Sequence, residues 1–184
     1  MIICAGDVES FSFAKPIGIG MVNSAINLTE LILSFCPSKL VFIGSAGSYG
    51  THNIFDIVSS KSAANIELSF LENKSYSPID NVLSLEENFQ NNIVNSSNYI
   101  TTDSNIANLL NKHKITLENM EFYSVLNCAR KFNINAIGYF IITNFCDKNA
   151  HTDFLQNHKQ AMQYLIKHLV DSKIVSRETF EESK

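Results

Sequence analysis

Arginine is scarce in this 184-residue chain: Arg130 and Arg177 are the only two. Any anion it binds must be held mostly by backbone amides, hydroxyls and lysine rather than by bidentate guanidinium contacts. There is no basic tract, and 14 Lys plus Arg stand against 18 Asp plus Glu for a formal net charge of −4. That balance argues against nucleic acid as a partner. Long apolar runs are also missing. The longest, such as Ala136 to Ile142, fall far short of the roughly 20 residues that span a bilayer. The start MIICAGDVES has neither the basic beginning nor the long apolar centre of a signal peptide. No membrane contact is expected, and the expected location is the cytoplasm. Cys4, Cys36, Cys128 and Cys146 make no CxxC pair and read as buried, reduced thiols. His52, His113, His151, His158 and His168 lack metal-ligand spacing, so no metal is expected. Internal repeats are absent.

What is present suffices for a normal core. Apolar residues make up 45% of the chain and charged residues 17%, which excludes disorder and fibre and fits one domain over 1–184. The polar stretch Leu71 to Asn92 reads as an excursion within that domain, and 173–184 as a frayed, charged tail. Met1 to Ala5 and Phe11 to Ile17 predict strands, and the three-to-four spacing of Val22, Ile26, Leu28, Leu31, Ile32 and Phe35 predicts a helix stopped by Pro37. Lys39 to Ile43 is a continuous apolar run of the kind buried on both faces in a parallel sheet, leading into a small-residue loop, Gly44 to Gly50. Ile54 to Ser60, Asn65 to Phe70 and Ile93 to Thr101 read as further strands. Ser104 to Lys112 reads as a helix capped by Ser104, and Glu121 to Phe132 as another. Ala136 to Thr143 predicts a second fully apolar strand and Asp153 to Ser172 a long amphipathic helix. Strands interleaved with helices predict an α/β fold with a mixed sheet covered on both sides, its ligand site at the carboxyl ends of the strands.

Three loops meet that condition: Gly6-Asp7, Gly44 to Gly50, and Thr143-Asn144. Glycine and alanine let backbone N–H groups approach a ligand, and the serines of GSAGSYG add hydroxyl donors. A tight turn accounts for such a loop equally well. Glu121 is likewise favoured by the dipole of the helix it opens, Asn144 by turn formation, and Tyr99 by ordinary packing.

The ordered set Ile19-Gly20, VFIGSAG (41–47), FDIV (55–58), IVNSSNYI (93–100), NMEF (119–122) and ITN (142–144) resembles the nucleoside phosphorylase and nucleosidase superfamily. The resemblance covers roughly residues 1 to 170. It implies a three-layer αβα fold with a mixed, partly barrel-like central sheet, and cleavage of a purine nucleoside at C1′. Position by position, Ser45 would touch phosphate, with Gly6 and Ser10 beside it. Ala46 and Gly47 would line the purine, and Tyr99, with Ile100 next to it, would stack near base and sugar. Met120 would pack on the ribose, Glu121 would grip its hydroxyls, and Asn144 would face N7 and the C6 substituent. Such cleavage builds oxocarbenium character on the sugar and negative charge on the base, so an anion beside one and a donor beside the other suit it. A neutral amide at 144 suits 6-oxopurines such as inosine and guanosine. The expected reaction is phosphorolysis, with inorganic phosphate as co-substrate and no other cofactor.

Ser10 and Phe42 stand where bacterial phosphorylases of the family carry arginines. Hydrolysis therefore remains an alternative, although Phe11 occupies the place of the hydrolases' water-orienting carboxylate, with Glu9 only nearby. A non-catalytic nucleoside-binding protein is a further alternative. The family also implies a homo-oligomer, dimeric or dimer-based, and Asn65 to Phe70 is the candidate contact strand. His52, Lys15, Lys148 and His151 are secondary candidates for contact with an anion or base.

Overall fold

A computed structural model describes residues 1–85 and 92–176. In chain order the elements are β1 (Ile2–Cys4), β2 (Lys15–Pro16), α1 (Met21–Phe35), β3 (Lys39–Ser48), β4 (Ile57–Ser60), β5 (Ser62–Ala64), α2 (Leu68–Leu71), β6 (Val82–Ser84), β7 (Ile93–Ser96), α3 (Ser104–Lys112), β8 (Ile115–Asn119), α4 (Phe122–Lys131), β9 (Asn135–Phe145) and α5 (Ala150–Asp171). All nine strands among the described residues belong to one mixed sheet, so the α/β architecture expected from the sequence is the observed one.

The two continuous apolar runs form the centre. β3 and β9 pair in parallel from Lys39↔Asn135 to Ser48↔Phe145, and side chains of opposite parity go to opposite faces. Leu40 and Phe42 of β3, with Phe140 and Ile142 of β9, join the core under α1 and α4. Val41 and Ile43, with Ile141, join the core under α5, where Ala161, Leu165 and Leu169 pack. Burial on both faces is why neither run alternates. Phe42, Phe122 and Phe140 meet with centroids 5.0–5.9 Å apart, and Gly138 leaves the room, since a Cβ there would lie 2.5 Å from the Phe140 ring and 2.7 Å from the Phe122 ring.

Several expected elements differ. β3 runs on to Ser48, so GSAG is strand rather than loop, held by β9 on one edge and by antiparallel β8 at Gly47 and Ser48. Thr143 and Asn144 are likewise in β9. Only Lys15–Pro16 of the expected strand 11–17 pairs with β1; the Ala14 N–H turns back onto the Phe11 carbonyl at 3.0 Å and both residues enter the α5 core. Asn65 to Phe70 is not a strand. The Asn95 side chain bonds both the N–H and the carbonyl of Ile66 (2.9 and 3.0 Å), substituting a side chain for the ladder, and the chain then turns into α2. The candidate oligomer strand is thereby lost. Beyond Ser96 the segment expected as strand to Thr101 is irregular. The α3 cap is Asp103, whose carboxylate accepts from Asn105 N at 2.7 Å, one residue before the expected Ser104. Cys36 is exposed at the end of α1, unlike the three buried cysteines. The tail begins packed, with Val175 buried against α5, while 177–184 lie outside the described residues. No helix among the described residues is long and apolar enough to cross a membrane.

Candidate active site

The strand ends, the first loop and the starts of α4 and α5 enclose a cavity of about 280 Å³. Its wall is largely apolar, from Val8, Ile19, Ala46, Ile100, Met120 and Phe154, with Glu9, Ser45, Glu118, Asn119, Glu121, Asn144 and His151 as the polar groups. An apolar pocket with a few convergent polar groups is the usual form of a small-molecule site.

Glu121 is placed by its neighbours. Asn119, at the end of β8, accepts from the N–H groups of Glu121 and Phe122 (both 2.7 Å) and so caps α4, leaving the Glu121 side chain free of capping. The carboxylate then accepts from Asn119 Nδ2 at 2.7 Å and from the Gly20 N–H at 2.9 Å. Both donors favour the charged form, but burial outweighs them and the nearby Glu9 charge adds to it, so the pKa is raised to about 7.

Glu9 is the residue that sequence reasoning set aside. The Gly6 carbonyl accepts from Glu9 N at 3.0 Å across a turn in which Gly6 and Asp7 have positive φ (97° and 53°), a conformation glycine and aspartate tolerate. This turn carries the Glu9 side chain to Ser45, whose N–H lies 3.2 Å from both carboxylate oxygens and whose hydroxyl donates to Oε1. Gly44 makes the approach possible, since a Cβ there would stand 2.6 Å from Glu9 Oε2. Burial raises the Glu9 pKa, opposed by the Ser45 donors and by the charge of His158. A sequence signal existed in the acidic residue three positions after Gly6, but the turn that aims it is a tertiary fact.

Asn144 reaches the wall through a bulge: the register passes from Ala46↔Ile142 to Gly47↔Asn144, leaving Thr143 as the extra residue. Its Oδ1 accepts from Thr143 Oγ1 at 2.9 Å and its Nδ2 donates to the Phe145 carbonyl at 3.0 Å.

Of the residues singled out from sequence, Gly6, Ser45, Ala46, Gly47, Ile100, Met120, Glu121 and Asn144 line this cavity, and so does His151 at its exposed edge. Two do not. Ser10 donates to the Asp7 carbonyl at 2.8 Å and stays on the outside of the turn. Tyr99 is 83% exposed, because the chain leaves β7 before reaching it. His52 pairs with Asn92 at 2.9 Å, and Lys15 lies over the Phe35 ring, so neither faces the cavity. Glu118 and Asn119 were missed. An acidic residue within a buried strand, and an asparagine three residues before a helix, were the available signals. Among the described residues no cluster of His, Cys, Asp and Glu is arranged to hold a metal.

The profile of the Phosphorylase superfamily matches residues 4–172. Among curated proteins the sequence finds no significant match. Solved structures share the fold. A 5′-methylthioadenosine/S-adenosylhomocysteine nucleosidase from Helicobacter pylori has a TM-score of 0.72 at 19% identity, covering 86% of this chain and 79% of that one. Futalosine hydrolase of H. pylori has 0.72 at 20%, covering 86% and 78%. The corresponding nucleosidase from Streptococcus pneumoniae has 0.72 at 14%, covering 91% and 95%. The expectation of phosphorolysis is corrected here: these neighbours bear the names of nucleosidases and a hydrolase, and the Ser45 donors assigned to phosphate are already occupied by the Glu9 carboxylate.

Proposed function

This chain belongs to the phosphorylase superfamily, and from that premise we propose that it hydrolyses the N-glycosidic bond of a purine nucleoside or its 5′-thio derivative. The observation that carries this reading is the sign of the cavity. Three carboxyl groups, Glu9, Glu118 and Glu121, line it, with no lysine or arginine among the lining residues. Each of these carboxyls that is ionised repels an anion placed beside it, and burial of Glu9 and Glu121 strengthens that repulsion by lowering the dielectric around them. No lysine or arginine of the lining offsets it, so a phosphate dianion is disfavoured. Even a protonated Glu9 would leave the Ser45 hydroxyl and amide engaged. The same field favours a sugar that becomes cationic.

In the reaction, water adds to C1′ as the C1′–N9 bond breaks and its electron pair leaves with the base, which takes up a proton from solvent while Glu9 returns the proton it accepted to solvent. Glu121 takes the ribose hydroxyls and stabilises the oxocarbenium character; Glu9, held by Ser45, orients the water and accepts its proton. Burial raises the pKa of Glu9, which makes it a stronger base than an exposed carboxylate. Asn144 and the backbone of Ala46 and Gly47 stand against the base, and the apolar wall of Val8, Ile100 and Phe154 takes an alkylthio group without stranding a polar one. The test is base release from inosine, adenosine and 5′-methylthioadenosine with and without phosphate. Equal release in both buffers, with free ribose or thioribose as the other product, is expected; a requirement for phosphate with ribose 1-phosphate formed would overturn the reading.

A further inference from the structure

Glu118 lines the cavity, yet both of its oxygens are taken up by the protein itself. Oε1 accepts from Thr101 N at 2.8 Å, Oε2 accepts from the Tyr49 hydroxyl at 2.7 Å and from Thr101 Oγ1, and Cys146 Sγ lies 3.9 Å from Oε1. Among the described residues no cation joins this buried group, and neutral donors offset the cost of desolvating it. Two of the donors belong to one residue, Thr101, in the irregular segment between β7 and α3. The residue before it, Ile100, lines the cavity while remaining 54% exposed, which places it at the mouth. The rest of the segment is tied at its start, where Ser97 N donates to the Asn119 carbonyl at 3.3 Å and Asn98 Oδ1 accepts from Met21 N at 3.1 Å. Between those ties and Thr101 stand Tyr99, outside the cavity, and Ile100.

We propose that Glu118 is a positioning residue for nucleoside binding: by gripping Thr101 through its amide and its hydroxyl, it fixes the 97–101 segment so that Ile100 closes the cavity over the bound substrate. This rests on the nucleosidase reading for the identity of the ligand. The effect falls on binding rather than on bond cleavage, because Glu118 has no free acceptor to offer substrate, whereas Glu9 and Glu121 face the reacting atoms from other elements.

Thr101→Val keeps the β-branched shape and removes the hydroxyl, and Thr101→Ser keeps it. The expected result for Thr101→Val is a fivefold to tenfold rise in KM and in the calorimetric Kd for 5′-methylthioadenosine, with kcat within twofold of wild type. Thr101→Ser should stay near wild type, and hydrogen exchange of the Ile100 and Thr101 amides should quicken in Thr101→Val and in Glu118→Gln. A folded Thr101→Val with unchanged Kd, a loss confined to kcat, or a Thr101→Ser as impaired as Thr101→Val would overturn the assignment. Wild-type protein that binds the nucleoside without cleaving it would sink hydrolysis alone, and the Kd series would still decide the role of Glu118. Wild-type protein that binds neither 5′-methylthioadenosine nor adenine would overturn both.

Discussion

Glu121 and Glu9 face one cavity from opposite kinds of scaffold. Glu121 stands at the junction of β8 and α4, where a helix start, an asparagine cap and the Gly20 amide converge on it. Glu9 stands on a turn outside regular structure, held to β3 only through Ser45 and admitted by the bare Gly44. Both are buried, and burial raises both pKa values. The difference is in what each scaffold demands. The Glu121 corner presents two donors to two carboxylate oxygens, while the Glu9 corner presents both of its donors from a single residue. A site can thus place one charge by a helix start and its cap and the other by the amide and hydroxyl of a single residue, and the second is the easier to overlook.

The largest effect should come from Glu121→Gln. Asn119 cannot turn its amide round without losing both N–H groups it caps, so one donor facing the new glutamine stays unpaired, and the charge opposite the forming cation is gone. A loss of about a thousandfold in kcat/KM, roughly 4 kcal/mol, is expected; a loss under tenfold would place the charge elsewhere. Glu9→Gln should cost about a hundredfold in kcat with little change in KM, since it removes the base but keeps the contact to Ser45. Restoration by added phosphate would revive phosphorolysis and break the comparison.

The pH profile sharpens it further. With the Glu121 pKa about 7, kcat/KM should fall about tenfold per unit below that value, as the carboxylate takes up a proton. Stability runs the other way. A carboxyl raised from 4.5 to about 7 on folding contributes stability that is complete below pH 4.5 and lost as pH rises through 7, on the order of 3 kcal/mol for a group this buried. Chemical denaturation should therefore show wild type losing ground to Glu121→Gln between pH 5 and 8; parallel curves would contradict the raised pKa. The smallest effect belongs to Tyr99→Ala. With its ring outside the cavity, kcat/KM should move less than twofold, and a tenfold loss would restore the stacking role implied by the family resemblance.

The elements legible in the sequence were those whose pattern is local. β3, β9, α1 and α5 announced themselves because a strand buried on both faces is apolar throughout and a helix with one buried face repeats at three to four residues. Their ends were less legible: GSAG looks like a loop because small residues serve equally in a turn and in a strand pressed by β8, Cys146 and Asn144. The 65–70 segment, apolar enough for a strand, loses its ladder to the Asn95 side chain, a partner 29 residues away.

For the site, composition and order along the chain determined much: the scarcity of arginine, the family pattern, and the assignment of Glu121, Ser45, Met120 and Asn144 to one pocket. Burial of Glu9 against Ser45, the exclusion of Ser10 and Tyr99, and the grip of Glu118 on Thr101 were decided only by tertiary structure. The reason is physical. A side chain's type and local period are properties of its own segment, whereas its direction, its donors and the dielectric around it come from residues that folding brings from 17 to 101 positions away.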